Sequence, residues 1–121
     1  MEIKAVNHVA LHVADVTKSI VFYGQTLGLQ PMPRPAFEFP GAWFRIGTGQ
    51  ELHLIGDRTA EVSSHHRGTH FALHVTDIRG AEDELRGKNV SFYGPKMRPD
   101  GIWQIFLQDP DGHYIELCEV K

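Results

Sequence analysis

The sequence has one cysteine, no excess of basic residues and no long apolar run. Because Cys118 is alone, no disulfide can form within the chain; this is typical of a reducing compartment, and we expect a cytoplasmic protein. A formal net charge of -3 offers no basic surface for nucleic acid or for an acidic membrane. The apolar runs are too short to span a bilayer, and the first residues lead directly into a strand-like pattern, so we expect no signal peptide.

Histidine is the residue type that stands out. The chain has 121 residues, enough for one domain with a real hydrophobic core, and eight of them are histidines. Histidine is the commonest protein ligand of transition metals and the side chain that titrates near neutrality. The composition therefore favours a small globular protein and makes the positions of its histidines the main question.

A nine-residue stretch occurs twice. Asn7–Asp15 and Thr69–Asp77 share six identical positions, at a spacing of 62 residues. Such a repeat indicates two copies of one module within a single domain over residues 1–121. We expect the copies to span about residues 4–56 and about residues 69–121.

Each copy predicts the element order β-α-β-β-β, and hence an α+β fold. Residues 6–13 alternate apolar and polar side chains, as in a strand with one buried face. Asp15 and Asp77 can each cap a following helix, and Ile20 is expected on the apolar face of the first helix. In the second copy, residues 94–101 are expected to form a loop.

The repeat extends to the last strand of each copy, where His53 aligns with Glu116. Each copy therefore offers two polar residues on the face opposite its apolar residues: His8 with His53, and His70 with Glu116. Three imidazoles and one carboxylate form a borderline ligand set that suits Zn, Ni, Co, Fe or Mn. Four protein ligands on an octahedral ion would leave two positions for water or substrate.

A single histidine on the polar face of a strand is usually only solvated or hydrogen-bonded, so the metal hypothesis depends on four such residues at symmetric positions. His12 and His74 lie two residues further along the same face and are expected to contact substrate rather than metal. His65 and His66 fall in a polar segment and are expected at the surface. Cys118 follows Glu116 on its face and is expected to be a small buried residue.

The chain resembles, over nearly its whole length, the vicinal oxygen chelate superfamily, also called the glyoxalase / bleomycin resistance / extradiol dioxygenase superfamily. The segments that carry the resemblance are Asn7–Asp15, Phe22–Tyr23 with Leu27–Leu29, Glu51–Leu54, His70–Val75 and Asp109–Leu117. The resemblance implies paired βαβββ modules that form a half-open barrel around a divalent metal, in a homodimer. It also implies that His8, His70 and Glu116 are metal ligands and that His53 occupies the fourth ligand position.

The resemblance favours a metal-dependent isomerase or lyase of the glyoxalase I (lactoylglutathione lyase) type, acting on a small oxygen-chelating substrate. Glyoxalase I commonly has Glu at the position of His53, so here Glu116 alone would take the proton. Without His53, the ligand set resembles those of fosfomycin-modifying enzymes and extradiol dioxygenases, which stay as alternatives. A metal-free small-molecule binding or resistance protein is a third alternative, although such members typically lack the ligand set.

The sequence indicates the residues that bind substrate less clearly than it indicates the metal ligands. Arg98 is the first candidate to meet an anionic group, such as a carboxylate of glutathione, and Trp103 is a candidate wall of the pocket. Lys96 is a further candidate in the same segment. A solvated charge or a core position is the ordinary alternative for each of them, and no feature of the sequence names the small molecule.

Overall fold

The repeated sequence corresponds to a repeated structure. The computed structural model describes residues 1–120, and the chain divides into two units, Met1–Glu61 and a second unit that begins at Val62. Each unit has its own four-stranded sheet and its own helix. No helix within residues 1–120 is long and apolar enough to cross a membrane.

The first unit contains one mixed sheet. Its elements are β1 (His8–His12), α1 (Val16–Val21), a π-helical turn (Phe22–Thr26), β2 (Gln30–Met32), β3 (Gly41–Ile46) and β4 (Gln50–Ile55). The strand order is β1-β4-β3-β2, in which β1 and β4 are parallel and the other neighbours are antiparallel. The first strand of the unit therefore lies beside its last.

The second unit has the same topology. Its elements are β5 (Phe71–Val75), α2 (Ile78–Gly87), β6 (Phe92–Met97), β7 (Trp103–Gln108) and β8 (Tyr114–Glu119). The strand order is β5-β8-β7-β6, again with a parallel pair between the first and last strands. The α+β class and the two βαβββ modules are thus confirmed, and neither sheet closes into a barrel within the described residues.

Both helices begin at the predicted caps. The Asp15 side chain accepts a hydrogen bond from the Lys18 backbone N–H at 3.1 Å, and the Asp77 side chain accepts one from the Gly80 N–H at 3.1 Å. Each carboxylate thereby satisfies a backbone donor that has no partner within the helix. The two aspartates that end the repeated stretch therefore have the same structural role.

The first helix does not present Ile20 to the sheet, contrary to expectation. Ile20 is 40% exposed, whereas Ser19, Phe22 and Tyr23 are buried. These three residues form an i, i+3, i+4 stripe that is offset by one residue from the expected one. The helix then widens into a π-helical turn, in which the Leu27 N–H donates to the Phe22 carbonyl at 2.9 Å.

The segment expected to be a loop at residues 94–101 begins as a strand. β6 continues through Met97, and its register with β7 shifts between Tyr93 and Lys96. Gly94 takes a positive φ of 108° at this irregularity, and its backbone packs closely against the Gln104 carbonyl. The sequence pattern fails here because glycine and proline, which usually mark a loop, lie within a bulged edge strand.

Alternation along the strands gives each unit a buried apolar face. The buried apolar residues of the first unit are Leu11, Val13, Phe22, Tyr23, Phe44, Leu52 and Leu54. Those of the second unit are Leu73, Ile78, Leu85, Ile105, Leu107, Ile115 and Leu117. The opposite face of each sheet is thus left for polar and aromatic side chains.

A side-chain–backbone network fixes the turn before β8. The Asp109 carboxylate, only 6% exposed, accepts hydrogen bonds from the backbone N–H groups of Asp111 and His113, each at 2.9 Å. The Asp109 N–H in turn donates to the His113 carbonyl at 2.9 Å. The short side chain therefore holds the chain reversal that leads into the strand carrying Glu116.

Replacing this carboxylate should destabilise the protein. We expect Asp109→Ala to lower the free energy of unfolding by about 1–3 kcal/mol, because two backbone donors lose their acceptor in a largely buried turn. Urea denaturation followed by circular dichroism measures the change. Asp83→Ala, at an exposed position in α2, is the control and should stay within about 0.5 kcal/mol of the wild type. Equal stabilities for the two variants would contradict this role of Asp109.

Candidate functional site

Parallel pairing of the first and last strands places polar residues of both strands on one face of each sheet. Ala10 lies opposite His53 in the β1–β4 register, and Ala72 lies opposite Glu116 in the β5–β8 register. Because side chains alternate along a strand, the histidine two residues before each alanine lies on the same face. The two alanines and the two last-strand residues therefore correspond between the units, as the repeat predicts.

In the second unit, His70 and Glu116 are in contact. The Nε2 atom of His70 is 3.3 Å from Oε1 of Glu116, whose side chain is almost fully buried. The His70 Nδ1 atom lies 3.1 Å from the Gly68 carbonyl, which can only accept, so Nδ1 carries a proton and donates it. In a neutral ring the lone pair is then on Nε2. Nε2 of His70 and Oε1 of Glu116 are both acceptors in that case, so their contact requires a cation or a second ring proton between them.

The geometry of this pair fits two ligands of one metal ion. Two atoms bound at about 2.1 Å with an angle between octahedral and tetrahedral lie about 3.0–3.4 Å apart. The distance from His70 Nε2 to Glu116 Oε1 falls in this range. The other carboxylate oxygen, Oε2, accepts a hydrogen bond from the Gln104 amide at 3.1 Å, and outer contacts of this kind commonly orient metal ligands.

In the first unit, His8 and His53 belong to a stack of three rings. The His8 and His53 centroids are 4.1 Å apart with an interplanar angle of 16°, and Trp43 covers the His53 ring at 3.9 Å and 2°. Trp43 lies directly opposite His53 in the β3–β4 register, so the strand pairing itself provides the contact. Phe37 lies 6.2 Å from Trp43 and extends the aromatic surface.

The two histidines of this stack have different hydrogen-bond partners. Nδ1 of His8 lies 2.8 Å from the Asn7 side-chain oxygen, and Nε2 of His53 lies 2.8 Å from Oε1 of Glu51. Both partners are acceptors, so His8 donates through Nδ1 and His53 donates through Nε2. In the neutral form, His8 and His70 therefore carry the lone pair on Nε2, whereas His53 carries it on Nδ1.

The predicted ligands are thus described as two pairs, each within its own unit. Within residues 1–120, no group of three or more His, Cys, Asp or Glu side chains is gathered closely enough to hold a metal ion. The set of His8, His53, His70 and Glu116 stays a prediction. The spacing between His70 and Glu116 is compatible with that prediction.

A concave cleft lies beside this pair in the second unit. Its volume is about 540 Å³, and Gln104 and Phe106 belong to its wall. Gln104 donates to Glu116, and Phe106 contacts the His70 ring edge-on with centroids 5.5 Å apart. The basic and imidazole side chains that line the cleft are His65, His66, Arg67, Lys96 and Arg98.

The cations of the cleft differ in how far they are neutralised. Arg98 donates to both oxygens of Asp100, at 2.8 and 2.6 Å; this raises the pKa of the Arg98 guanidinium and lowers the pKa of the Asp100 carboxyl. Within residues 1–120, Arg67 and Lys96 have no ion pair with a carboxylate. Partial burial, followed by the neighbouring charges of His65 and Arg67, lowers the pKa of His66. The uncompensated positive charge therefore comes from Arg67 and Lys96.

Trp103 lies away from the cleft. The Arg79 guanidinium of α2 stacks over its ring at 5.0 Å, and alternation places Trp103 on the same face of β7 as buried Ile105. Its neighbour Gln104 points to the opposite face, where it reaches Glu116. The structure therefore brings Gln104, rather than Trp103, to the predicted site.

The remaining predicted residues flank the two pairs. Nε2 of His12 lies 3.0 Å from the Gly56 carbonyl, and His74 lies opposite Cys118 in the β5–β8 register. Cys118 is half-buried, and burial, followed by the nearby Glu116 carboxylate, raises the pKa of its thiol. A raised thiol pKa gives a small thiolate fraction at neutral pH, which is typical of a structural cysteine rather than a nucleophile.

Sequence reasoning missed several residues at these sites, among them Arg67, which lines the cleft. Glu51 and Gln104 contact predicted ligands, and His66, expected at the surface, lines the cleft. The alternation that places His53 and Glu116 on the polar faces also places Glu51 and Gln104 there, so a signal was present. His66 has no such signal, because the segment before β5 lacks a regular period.

The chain is similar to known proteins over nearly its whole length. The model of the Glyoxalase/Bleomycin resistance protein/Dioxygenase superfamily matches residues 5–117. A lactoylglutathione lyase of Salmonella typhimurium is 32% identical over 94% of this chain and 91% of its own length.

Two solved structures share the fold. One, from Bacillus anthracis and described as a glyoxalase family protein, is 26% identical with a TM-score of 0.87 and covers 100% of this chain and 98% of its own. The other, an antibiotic binding protein from Streptomyces, is 24% identical with a TM-score of 0.81 and covers 100% and 99%. The second likeness concerns the fold alone. With the family model matching nearly the whole chain and both units built as βαβββ modules, the protein belongs to the glyoxalase/bleomycin resistance/dioxygenase superfamily.

Proposed function

We propose that the protein is a divalent-metal-dependent isomerase or lyase of the glyoxalase I type, acting on a small substrate that chelates the metal through oxygen atoms. The metal would be Zn, Ni, Co, Fe or Mn, held by His8, His70 and Glu116. The observation that carries the proposal is the contact between His70 Nε2 and Glu116 Oε1 at ligand spacing. A homodimer is part of the proposal, as the family resemblance implies.

The residues suggest how a proton would be moved. A divalent ion, when bound, would supply Lewis-acid polarisation of the substrate oxygens and so make the neighbouring C–H more acidic. The Glu116 carboxylate is the base that accepts this proton, and the Gln104 amide keeps its Oε2 oriented. Return of the proton to the adjacent carbon would complete an isomerisation, with the near-complete burial of Glu116 excluding bulk water.

The cleft favours an anionic substrate. Arg67 and Lys96 bring positive charge that no carboxylate within residues 1–120 neutralises through an ion pair, beside aromatic Phe106. A carboxylate on the substrate would gain charge-assisted hydrogen bonds there. This supports a glutathione-linked substrate, since glutathione carries carboxylates, and it shifts the expected anion contact from Arg98 to its two neighbours.

Fosfomycin modification is the second candidate. The stacked rings of His8 and His53 do not direct their nitrogens to one point, which leaves a set of two histidines and one carboxylate. That set is the one implied by the resemblance to the fosfomycin-modifying members. Purified protein assayed with methylglyoxal plus glutathione, and separately with fosfomycin plus a thiol, distinguishes the two reactions. Inactivity with both substrates would reject these two activities and leave the family membership intact.

The metal site should depend on Glu116. We expect elemental analysis to find about one transition-metal ion per chain, and Glu116→Gln to lower the affinity for that ion at least about 100-fold, because a neutral amide replaces an anionic ligand. Chelator competition measures the affinity. Glu61→Gln, at an exposed position, is the matched control and should bind as the wild type does. Metal-free wild-type protein that regains no ion on reconstitution would contradict the proposal and favour a binding protein.

The cleft should recognise the anionic part of the substrate. We expect Lys96→Met to raise KM for the glutathione hemithioacetal about tenfold with little change in kcat, because it removes one uncompensated charge but keeps an unbranched side chain. Arg67→Met should have a similar effect. Arg98→Met is the control and should change KM less than about threefold, since Asp100 already neutralises that guanidinium. A larger effect for Arg98 than for Lys96 would reverse this assignment.

A further inference from the structure

We infer that His53 is not a ligand of the metal but a positioning residue, anchored by Glu51 and Trp43, that holds the His8 ring in its metal-binding orientation. The inference rests on the proposed metal site and adds a role for two residues, Glu51 and Trp43, that contribute no ligand atom.

The stack itself excludes joint ligation by the two rings. An imidazole binds a metal through a lone pair in the plane of its ring, at about 2.1 Å from the nitrogen. The rings of His8 and His53 are nearly parallel, with centroids 4.1 Å apart. Their lone pairs therefore lie in two nearly parallel planes, and an ion in the plane of one ring lies far outside the plane of the other.

The hydrogen bond to Glu51 makes His53, rather than His8, the ring that does not bind the metal. Its carboxylate accepts the Nε2 proton of His53 at 2.8 Å, so the outward-pointing nitrogen of that ring is occupied. The remaining acceptor, Nδ1, is adjacent to the ring carbon that is bonded to Cβ. It therefore lies nearer to the backbone of β4 than Nε2 does. Trp43 lies parallel to the other face of the ring, at 3.9 Å, and restricts its rotation.

His8 and His70 have the complementary arrangement. Each donates through Nδ1 to an oxygen atom, at 2.8 Å to Asn7 and at 3.1 Å to Gly68, and so keeps the Nε2 lone pair. A hydrogen bond donated by the ring nitrogen that does not bind the metal is the usual way in which proteins orient a histidine ligand. Two histidines therefore keep the distal nitrogen, Nε2, available to a metal, and the third uses its Nε2 proton to bind Glu51.

A set of three protein ligands changes what the metal can bind. An octahedral ion with three protein ligands has three further positions, one more than with four. A substrate that chelates through two oxygens then leaves room for a third donor, such as water. The position commonly occupied by a second carboxylate in glyoxalase I has here become a packing position.

Histidine tautomers can be observed directly. In ¹⁵N-labelled, metal-free protein at pH 8, long-range ¹H–¹⁵N correlation spectra should show the proton on Nδ1 of His8 and His70 and on Nε2 of His53. Addition of Zn²⁺ should shift the Nε2 signals of His8 and His70 and leave the His53 pattern unchanged. Single His→Gln variants assign the signals.

Paired substitutions test the positioning role. His53→Phe keeps a flat ring between His8 and Trp43 but has no ligand atom, so Zn²⁺ affinity should stay within about threefold of the wild type. His53→Ala removes the support of His8 and should weaken binding about tenfold, and His8→Phe should abolish it. Phenylalanine thus rescues affinity only if His53 acts by packing.

The outcomes separate the inference from the proposed function. A Zn²⁺-dependent shift of a His53 nitrogen, or an equally large loss of affinity in His53→Phe and His53→Ala, would overturn the inference while leaving the metal site in place. Wild-type protein in which no histidine signal responds to Zn²⁺ would overturn both. The predicted tautomers, with affinity retained in His53→Phe, support the inference.

Discussion

The parallel pairing between the first and last strand of each unit is the constraint on which the site depends. It joins β1 to β4 and β5 to β8, although about forty residues separate the strands in the chain. A parallel pair with fixed register brings residues from the two ends of a module to within contact distance on one face. The pairs of His8 with His53 and of His70 with Glu116 both follow from this register.

The two units use equivalent positions for different chemistry. Trp43 lies opposite His53, and Phe106 lies opposite Glu116, in matching registers of the two sheets. In the first unit the cross-strand neighbour covers an imidazole face; in the second, the aromatic ring contacts a histidine edge and leaves the carboxylate to Gln104. One unit is thus suited to holding rings rigidly, and the other to presenting a charge.

Much of this arrangement is available from the sequence because it depends on period and repeat. Alternation in residues 6–13 and the repeated aspartate caps predict the strands, the helices and the polar faces. The hydrogen-bond partners of the site residues could not be predicted from the sequence. Glu51 and Gln104 are residue types common at protein surfaces, and their role depends on the direction of the side chain. The pairing of Arg98 with Asp100 was equally invisible, since a loop conformation decides whether neighbouring charges meet. For His53, the residue type suggests a ligand, and only the ring stack places its lone pair in a different plane from that of His8.

One edge of each sheet carries a proline. Pro31 lies in β2 and Pro95 lies in β6, the strands that end their sheets on the side opposite the parallel pair. A proline has no backbone N–H to donate to a further strand, and it is typical of edge strands and bulges. Growth of either sheet beyond four strands is thereby discouraged at that side, and with it the edge-to-edge association that leads to aggregation of β-proteins.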